Sequence, residues 1–290
     1  MRNPHFFSAL LSTLLIGIFM QASVAQTNPP KVEATYGQGA KSFKLATGSP
    51  GELGLLKQLG EAFDKKEDAR LVWIKAGSGA SLNLLKTQQV DMIMVHAPEG
   101  VNKAISEGWA TGRTLIGSNE FYIVGPKADL AKIKSASSGA DAYVKIAKAQ
   151  TNFISRGDKS GTHQKEMDIW KKAGITPEGS WYIVTNDFMT ASLKRANADK
   201  AYFMTDSSTW VAEKNIAPEL QILYRGDPYL VNTYDALVAP MGATENRDIA
   251  AKFIKFVTSD EGQAIIRNYG KAQYKEALYN DAVYAKQYVH

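Results

Sequence analysis

The sequence contains no cysteine among its 290 residues. This absence excludes disulfides, thiolate zinc sites, iron–sulfur clusters and cysteine nucleophiles. Low-complexity composition is also missing, because 10 Pro and 23 Gly accompany 44% apolar and 22% charged residues, which are ordinary values for a globular chain. No run of five like charges occurs, and a net charge of +5 is only a weak indication of anionic partners and does not point to nucleic acid. A chain of this length is expected to form about two domains.

The one long apolar run lies at the N-terminus. An uncharged stretch from Phe6 to Met20 follows Arg2, and small residues stand at both recognition positions of Ser23-Val24-Ala25. This pattern predicts a signal peptide, residues 1–25, cleaved after Ala25. The stretch is shorter than the roughly 20 residues of a membrane-spanning helix, so a membrane anchor is the less favoured interpretation. We expect export to the periplasm, with residues 26–41 as a polar N-terminal tether.

Beyond the tether, strand and helix patterns alternate. The first predicted helix follows a strand directly, with Ser49 as its N-cap and Glu52 three residues later in a capping box. Strands that alternate with helices predict right-handed crossovers and an α/β fold with mainly parallel sheets. The first three predicted strands are Phe43 to Ala46, Leu71 to Lys75 and Asp91 to His96.

Two later strand patterns end at a proline, near 119–126 and 233–240. They resemble a pair of crossings between two lobes, with a cleft between the lobes. The predicted division assigns residues 42–119 and 236–290 to the first lobe and residues 120–235 to the second.

Three predicted strands are followed by loops rich in Ser, Thr and Gly, at residues 47–49, 77–79 and 155–162. In open α/β sheets, ligands lie beyond the carboxyl ends of strands, where helix N-termini present free N–H groups. Such residues are also common N-caps and turn formers. The third loop carries Arg156, whose planar guanidinium suits an oxyanion. Three such loops on strand ends favour an anion site, with no cofactor and no ligands for a metal cation.

A serine hydrolase is the alternative from a different class. Ser160 would be the nucleophile, His163 the base and Asp158 the orienting group. These residues lie within one short segment at a helix start and do not easily form a linear relay, and the sequence has no Gly-x-Ser-x-Gly elbow. A transport receptor that performs no chemistry is therefore favoured over an enzyme.

Several segments along the chain carry a recognisable pattern, at residues 153–166, 170–175, 179–182, 95–99, 120–126, 201–202, 205–206 and 226–228. Together they resemble a known family, the extracytoplasmic tungstate-binding proteins of bacterial ABC importers. The resemblance covers about residues 42 to 268 and implies a type II periplasmic binding protein fold of two lobes joined by two crossing strands. It further implies an oxyanion ligand, tungstate or molybdate, and an ABC permease as partner, and we expect a monomer.

The resemblance also implies which residues bind the ligand. The donors carried over from the family's motifs are Thr47, Ser49, Ser78, Arg156, Ser160, Gly161 and Thr162. Further candidates beside them are Gly48, Gly79, Ser155, Thr205 and Asp206.

Two departures from the family's motifs leave the ligand open. Ala46-Thr47-Gly48-Ser49 stands where the family has Thr-Thr-Thr-Ser, and Thr205-Asp206-Ser207-Ser208-Thr209 lacks the family's second Arg. Glu52 adds a carboxylate that would repel a dianion unless a capping bond holds it outward. Another inorganic oxyanion or a small carboxylate therefore remains an alternative ligand.

Overall fold

The computed structural model of the chain describes residues 29–289. The predicted signal peptide and its cleavage point lie outside this range. Within it, no helix has both the length and the apolar character needed to cross a membrane. The strands are β1 Ala34–Tyr36, β2 Lys41–Thr47, β3 Ala69–Lys75, β4 Met92–Val95, β5 Thr111–Pro126, β6 Phe153–Ser155, β7 Tyr182–Val184, β8 Tyr202–Asp206, β9 Leu220–Tyr224, β10 Val231–Val238 and β11 Asn280–Asp281.

Helices separate most of these strands, as the alternating sequence pattern predicts. They are α1 Ser49–Glu52, α2 Leu55–Glu67, α3 Ser78–Lys86, α4 Pro98–Ser106, α5 Gly139–Ala149, α6 Gly161–Lys172, α7 Met189–Ala198, α8 Ser207–Glu213, α9 Arg247–Val257, α10 Asp260–Asn268, α11 Lys271–Tyr274 and α12 Ala282–Ala285.

The strands form two sheets that share the long strand β5. In the first sheet the order is β1-β3-β2-β4-β10-β5, and in the second it is β5-β8-β6-β7, with β9 also paired to β5. Strand β2 runs parallel to β3 and β4, and β6 runs parallel to β7 and β8. Antiparallel strands flank the parallel group of the first sheet on both sides and that of the second sheet on the side of β5. The fold is therefore α/β with mixed sheets, in which β3-β2-β4 and β8-β6-β7 run parallel.

Helices cover both sheets and enclose separate cores. In the first, Phe43 of β2, Phe63 of α2 and Phe253 of α9 pack with ring centroids 5.1 to 5.9 Å apart. In the second, Tyr143 of α5 packs 4.3 Å from Trp170 of α6, measured between ring centroids. We call the first sheet with α1 to α4 and α9 to α12 the first lobe, and the second sheet with α5 to α7 the second lobe. Helix α8 lies between the two cores.

The chain passes between the lobes on β5 and β10, which pair antiparallel with Asn119 opposite Asn232. Residues 231–235, which the sequence analysis assigns to the second lobe, pair with β5 in the first sheet, so the first lobe begins again at β10. Residues 34–36 likewise correct the predicted tether, because they form β1 along β3. Both differences arise from pairing with strands far away in sequence, which no local pattern encodes.

Candidate anion-binding site

The three donor loops are neighbours at the cleft between the lobes. A Cβ on Gly48 of the first loop would lie 3.5 Å from the Ala76 carbonyl oxygen, just before the second loop. A Cβ on Gly77 would lie 3.2 Å from Ser160 Cβ, and one on Gly79 would lie 2.8 Å from the Lys159 carbonyl oxygen. The start of α3 in the first lobe therefore touches the β6–α6 loop of the second lobe, residues 156–160. Glycine allows this approach, since a side chain at either position would push the loops apart.

In the first loop, the predicted role of Thr47 as a donor is not supported. The residue is 1% exposed, and its hydroxyl donates its hydrogen to the Met94 carbonyl oxygen, 2.9 Å away. The parallel pairing of β2 with β4 brings these two residues together. Because a hydroxyl has one hydrogen, Thr47 Oγ1 has none left to give to a ligand in this arrangement.

The predicted capping box of the first helix is wrong. Gly48 is the N-cap of α1, with no side-chain cap bond, and its carbonyl accepts the N–H groups of Gly51 and Glu52. Helix α1 ends after one turn because Gly54 adopts a left-handed conformation. The Ser49 hydroxyl has no hydrogen-bond partner among residues 29–289 and stays able to donate.

Glu52 is neutralised by a cation instead of a capping bond. Its Oε1 lies 2.6 Å from Lys75 Nζ, at the end of β3. Lys75 was not among the predicted site residues, although its place at the end of a predicted strand was a usable signal. This ion pair removes most of the repulsion that Glu52 alone would exert on an anion.

In the second loop, Ser78 is the first residue of α3 and is 4% exposed. Its hydroxyl oxygen accepts the His96 N–H at 3.2 Å, which leaves the hydroxyl hydrogen to donate. The first N–H groups of α3, at Ser78 and Gly79, have no partner within the helix. This helix start therefore offers side-chain and backbone donors to the cleft.

The third loop buries the predicted cation, since Arg156 is 5% exposed. Its Nε donates to the Asp187 carbonyl oxygen at 3.2 Å, and its NH2 lies 2.5 Å from Asp158 Oδ2. Asp158 Oδ1 also accepts the Ser160 N–H at 3.1 Å. The loop turns sharply at Gly157, whose φ of +65° favours glycine. These contacts fix the guanidinium at the base of the loop.

Helix α6 starts immediately after this loop. Ser160 is its N-cap, and the Ser160 hydroxyl accepts the His163 N–H at 3.3 Å. Gly161 and Thr162 form the first turn, where N–H groups are free of helical partners. The Thr162 side chain is 2% exposed, and its hydroxyl has no hydrogen-bond partner in the described part of the chain. The start of α6 thus offers backbone N–H groups and the Thr162 hydroxyl as donors.

Of the further candidates from β6 and β8, Thr205 and Asp206 bond within the protein. Ser155 is fully buried, and its hydroxyl has no hydrogen-bond partner among residues 29–289. The Thr205 hydroxyl donates to the Asp206 carbonyl at 3.2 Å. Asp206 caps α8 by accepting the N–H and hydroxyl of Thr209 at 2.9 and 2.8 Å, and burial raises its pKa. The carboxylate therefore stabilises a helix end, and the loop after β8 adds no cation.

A buried polar chain that the sequence analysis missed crosses between the lobes. Asn119 donates to Asp206 Oδ1 at 3.2 Å, Asn232 donates to Asn119 Oδ1 at 2.7 Å, and His96 Nδ1 lies 2.9 Å from Asn232 Oδ1. Because the Asn232 oxygen must accept, His96 carries its proton on Nδ1. Burial and the nearby Arg156 charge lower the pKa of His96 to about 4, so the ring is neutral near pH 7.

The arrangement does not form a hydrolase relay. Ser160 Oγ accepts a bond from the backbone of His163, and His163 Nδ1 accepts the Lys159 N–H at 3.1 Å. A Ser-His-Asp triad needs His Nδ1–H to donate to the carboxylate, but here Asp158 pairs with Arg156. No group of three or more His, Asp or Glu side chains within residues 29–289 is placed to hold a metal ion. The site can bind an anion through its donors and one buried guanidinium.

Comparisons with known proteins identify the family of the chain. A family model described as the PBP superfamily domain matches residues 29–261. The tungstate-binding protein TupA of Peptoclostridium acidaminophilum is 30% identical over 282 residues, covering 95% of this chain and 97% of that protein. TupA of Campylobacter jejuni is 34% identical over 214 residues, covering 72% of this chain and 79% of that protein.

A solved structure gives the same relationship in three dimensions. The structure described as the tungstate ABC transporter from Geobacter sulfurreducens is 36% identical and superposes with a TM-score of 0.73, covering 80% of this chain and 100% of that chain. This supports the two-lobed type II periplasmic binding protein fold that the family resemblance implies. The chain therefore belongs to the PBP superfamily and, within it, to the family of the tungstate-binding protein TupA, which is a family of transporter solute-binding proteins and not of enzymes.

Proposed function

We propose that the protein is the receptor of an ABC importer and captures an oxyanion, tungstate or molybdate, between its lobes. The observation that carries this proposal is the contact between the start of α3 and the loop that buries Arg156. Two helix N-termini from opposite lobes then lie beside the loop that carries one buried guanidinium. Helix N-termini and guanidinium groups both stabilise anions, and a dehydrated dianion needs several donors at once.

The neighbouring carboxylates do not oppose such a ligand strongly. Asp158 pairs with Arg156, Glu52 pairs with Lys75, and Asp206 accepts bonds at the start of α8. Donors remain on Ser49, Ser78 and Thr162, on free N–H groups of α3 and α6, and on the guanidinium. Since Thr47 donates elsewhere and a second Arg is missing, another inorganic oxyanion or a small carboxylate is the second candidate ligand.

The receptor is exported to the periplasm by a signal peptide cleaved after Ala25, and it delivers its anion to a membrane permease as a monomer. The apolar N-terminal run supports export, and the description of the Geobacter structure as a tungstate ABC transporter supports delivery to a permease. The lobes close by a hinge motion on β5 and β10, near Asn119 and Asn232, because the chain crosses between the lobes on these strands.

Thermal unfolding of residues 26–290 against a panel of anions tests the proposal. The panel contains tungstate, molybdate, sulfate, phosphate and small carboxylates as sodium salts. Binding to the folded state stabilises it by about 2.7 kcal/mol at one hundred times the dissociation constant, so the melting temperature rises with tungstate and molybdate and with few other anions. If the melting temperature rises selectively with a different anion, that anion is the ligand in place of tungstate or molybdate. Equal small shifts with every salt, or no shift, contradict an anion receptor.

A substrate panel tests the enzyme alternative. We expect no turnover of esters or phosphoesters by the purified protein. Turnover that disappears in Ser160→Ala would overturn the receptor function, because that residue would be the nucleophile.

A further inference from the structure

Two cations lie within 6 Å of the centroid of the Phe188 ring. Lys75 Nζ lies 4.4 Å from the ring centroid, and Arg156 Cζ lies 5.9 Å from it. Lys75 ends β3 in the first lobe, whereas Phe188 and Arg156 belong to the second. Cations are attracted to the face of an aromatic ring within about 6 Å of its centroid. The contact between Lys75 and Phe188 therefore joins the lobes beside the anion site.

Each end of this contact is fixed inside its own lobe. Glu52 holds the Lys75 ammonium at 2.6 Å, and both residues lie in the first lobe. In the second lobe, Asp187 directly precedes Phe188, and its carbonyl accepts the Nε–H of Arg156 at 3.2 Å. The backbone that places the ring thus also positions the guanidinium.

We propose that Lys75 and Phe188 form a clasp between the lobes that stabilises the closed form and positions Arg156 for the anion. This inference rests on the proposed receptor function and adds two residues that determine affinity. The two lobes must be together for the clasp to form, so its free energy contributes to the closed state alone and slows opening. A ligand that favours the closed state then binds more tightly, because closing costs less. Lys75 and Phe188 act here as positioning residues.

Spin-label distance measurements test the clasp directly. The chain has no cysteine, so cysteines introduced at Lys57 in α2 and at Lys200 after α7 carry one label in each lobe. The side chains of both lysines are largely exposed, at 60% and 66%. Distances are recorded without anion and with sodium tungstate, and thermal unfolding checks that each variant folds.

The expected result is a lower ratio of closed to open molecules when either partner is changed. Lys75→Met and Phe188→Leu each reduce the ratio about 3- to 20-fold, from the usual strength of a cation–π contact. In the double variant, the ratio of closed to open molecules is no lower than in the single variant with the larger loss. Both changes remove the same contact, so their effects do not add.

The chain offers a matched control within the first lobe. Lys86 Nζ lies 5.5 Å from the Trp109 ring centroid and 3.3 Å from Glu107 Oε2, the same combination of ring and carboxylate. Lys86→Met leaves the ratio of closed to open molecules unchanged, since no element of the second lobe takes part in this contact.

Several outcomes overturn the clasp. One is an unchanged ratio in Phe188→Leu, which would mean that Lys75 acts through its charge alone. Others are additive effects in the double variant, an equal effect of Lys86→Met, or wild-type protein that stays open under both conditions. If tungstate does not change the distances in the wild type, tungstate is not the ligand. The distances recorded without anion still test the clasp in that case.

Discussion

Replacing Arg156 by alanine is the sharpest test of the proposed site. Two of the five N–H donors of its guanidinium are used, by Asp187 and Asp158, which leaves three for an anion. Hydrogen bonds to charged groups contribute roughly 1.5 to 3 kcal/mol each, and breaking a buried charge pair costs about 3 to 5 kcal/mol. We expect Arg156→Ala to lose about 3 to 5 kcal/mol of binding free energy, roughly 150- to 5,000-fold in affinity.

Companion variants separate charge from shape at this position. Arg156→Lys recovers only part of the loss, because an ammonium cannot reproduce the planar fork of the guanidinium. Asp158 is left without its partner in Arg156→Ala and then repels the anion. Adding Asp158→Asn to Arg156→Ala is therefore expected to tighten binding at least about threefold over the single variant.

Calorimetric titration with sodium tungstate measures these affinities, and circular dichroism melting shows whether each variant is folded. Folded Arg156→Ala protein that binds within about threefold of the wild type, under 1 kcal/mol, would refute the reasoning. The loop of residues 156–160 would then be a structural turn, and the anion would bind elsewhere.

Three further predictions concern donors, protons and motion. Thr162→Val and Ser78→Ala weaken anion binding by about 1 to 3 kcal/mol in the same titration. Thr47→Val lowers the free energy of unfolding by roughly 1 kcal/mol and changes the affinity less. The reverse pattern would contradict the assigned hydrogen bonds. Burial raises the pKa of Glu166 to about 7 in the folded protein, against about 4.5 in the unfolded chain. The folded state therefore binds the proton more tightly, and this contribution to stability is fully present below pH 4.5 and is lost as pH rises through 7. In chemical denaturation, Glu166→Gln therefore gains up to about 3 kcal/mol relative to the wild type between pH 4.5 and 8, and parallel pH profiles would contradict this. X-ray scattering shows a smaller radius of gyration with saturating anion if β5 and β10 act as hinges, and an unchanged radius counts against an open state without ligand.

Local patterns were sufficient for the order of elements and for the loops of the site. The predicted strands at Phe43 to Ala46 and Leu71 to Lys75 lie within β2 and β3, and the Gly-Ser-Gly and Arg-Gly-Asp loops follow strand ends as predicted. A run of apolar residues and the turn formers after it act over a few neighbouring positions, so one sequence reveals them. The fold class and the family follow from the same segments.

Only the tertiary structure decided which hydrogen bonds the site residues make. Thr47 looked like a ligand donor until pairing of β2 with β4 placed it against the Met94 carbonyl. Glu52 looked like a repulsive charge until the end of β3 brought Lys75 within 2.6 Å.

The polar chain and the clasp depend on tertiary contacts in the same way. His96 and Asn232 are 136 residues apart in sequence but share a hydrogen bond, and Phe188 meets Lys75 across the cleft. The sequence by itself determined which donors stand at strand ends, because strand ends and turns are local. Packing of distant segments determined which of those donors remain free, because a hydroxyl or a charge bonds to whatever partner the folded chain brings beside it.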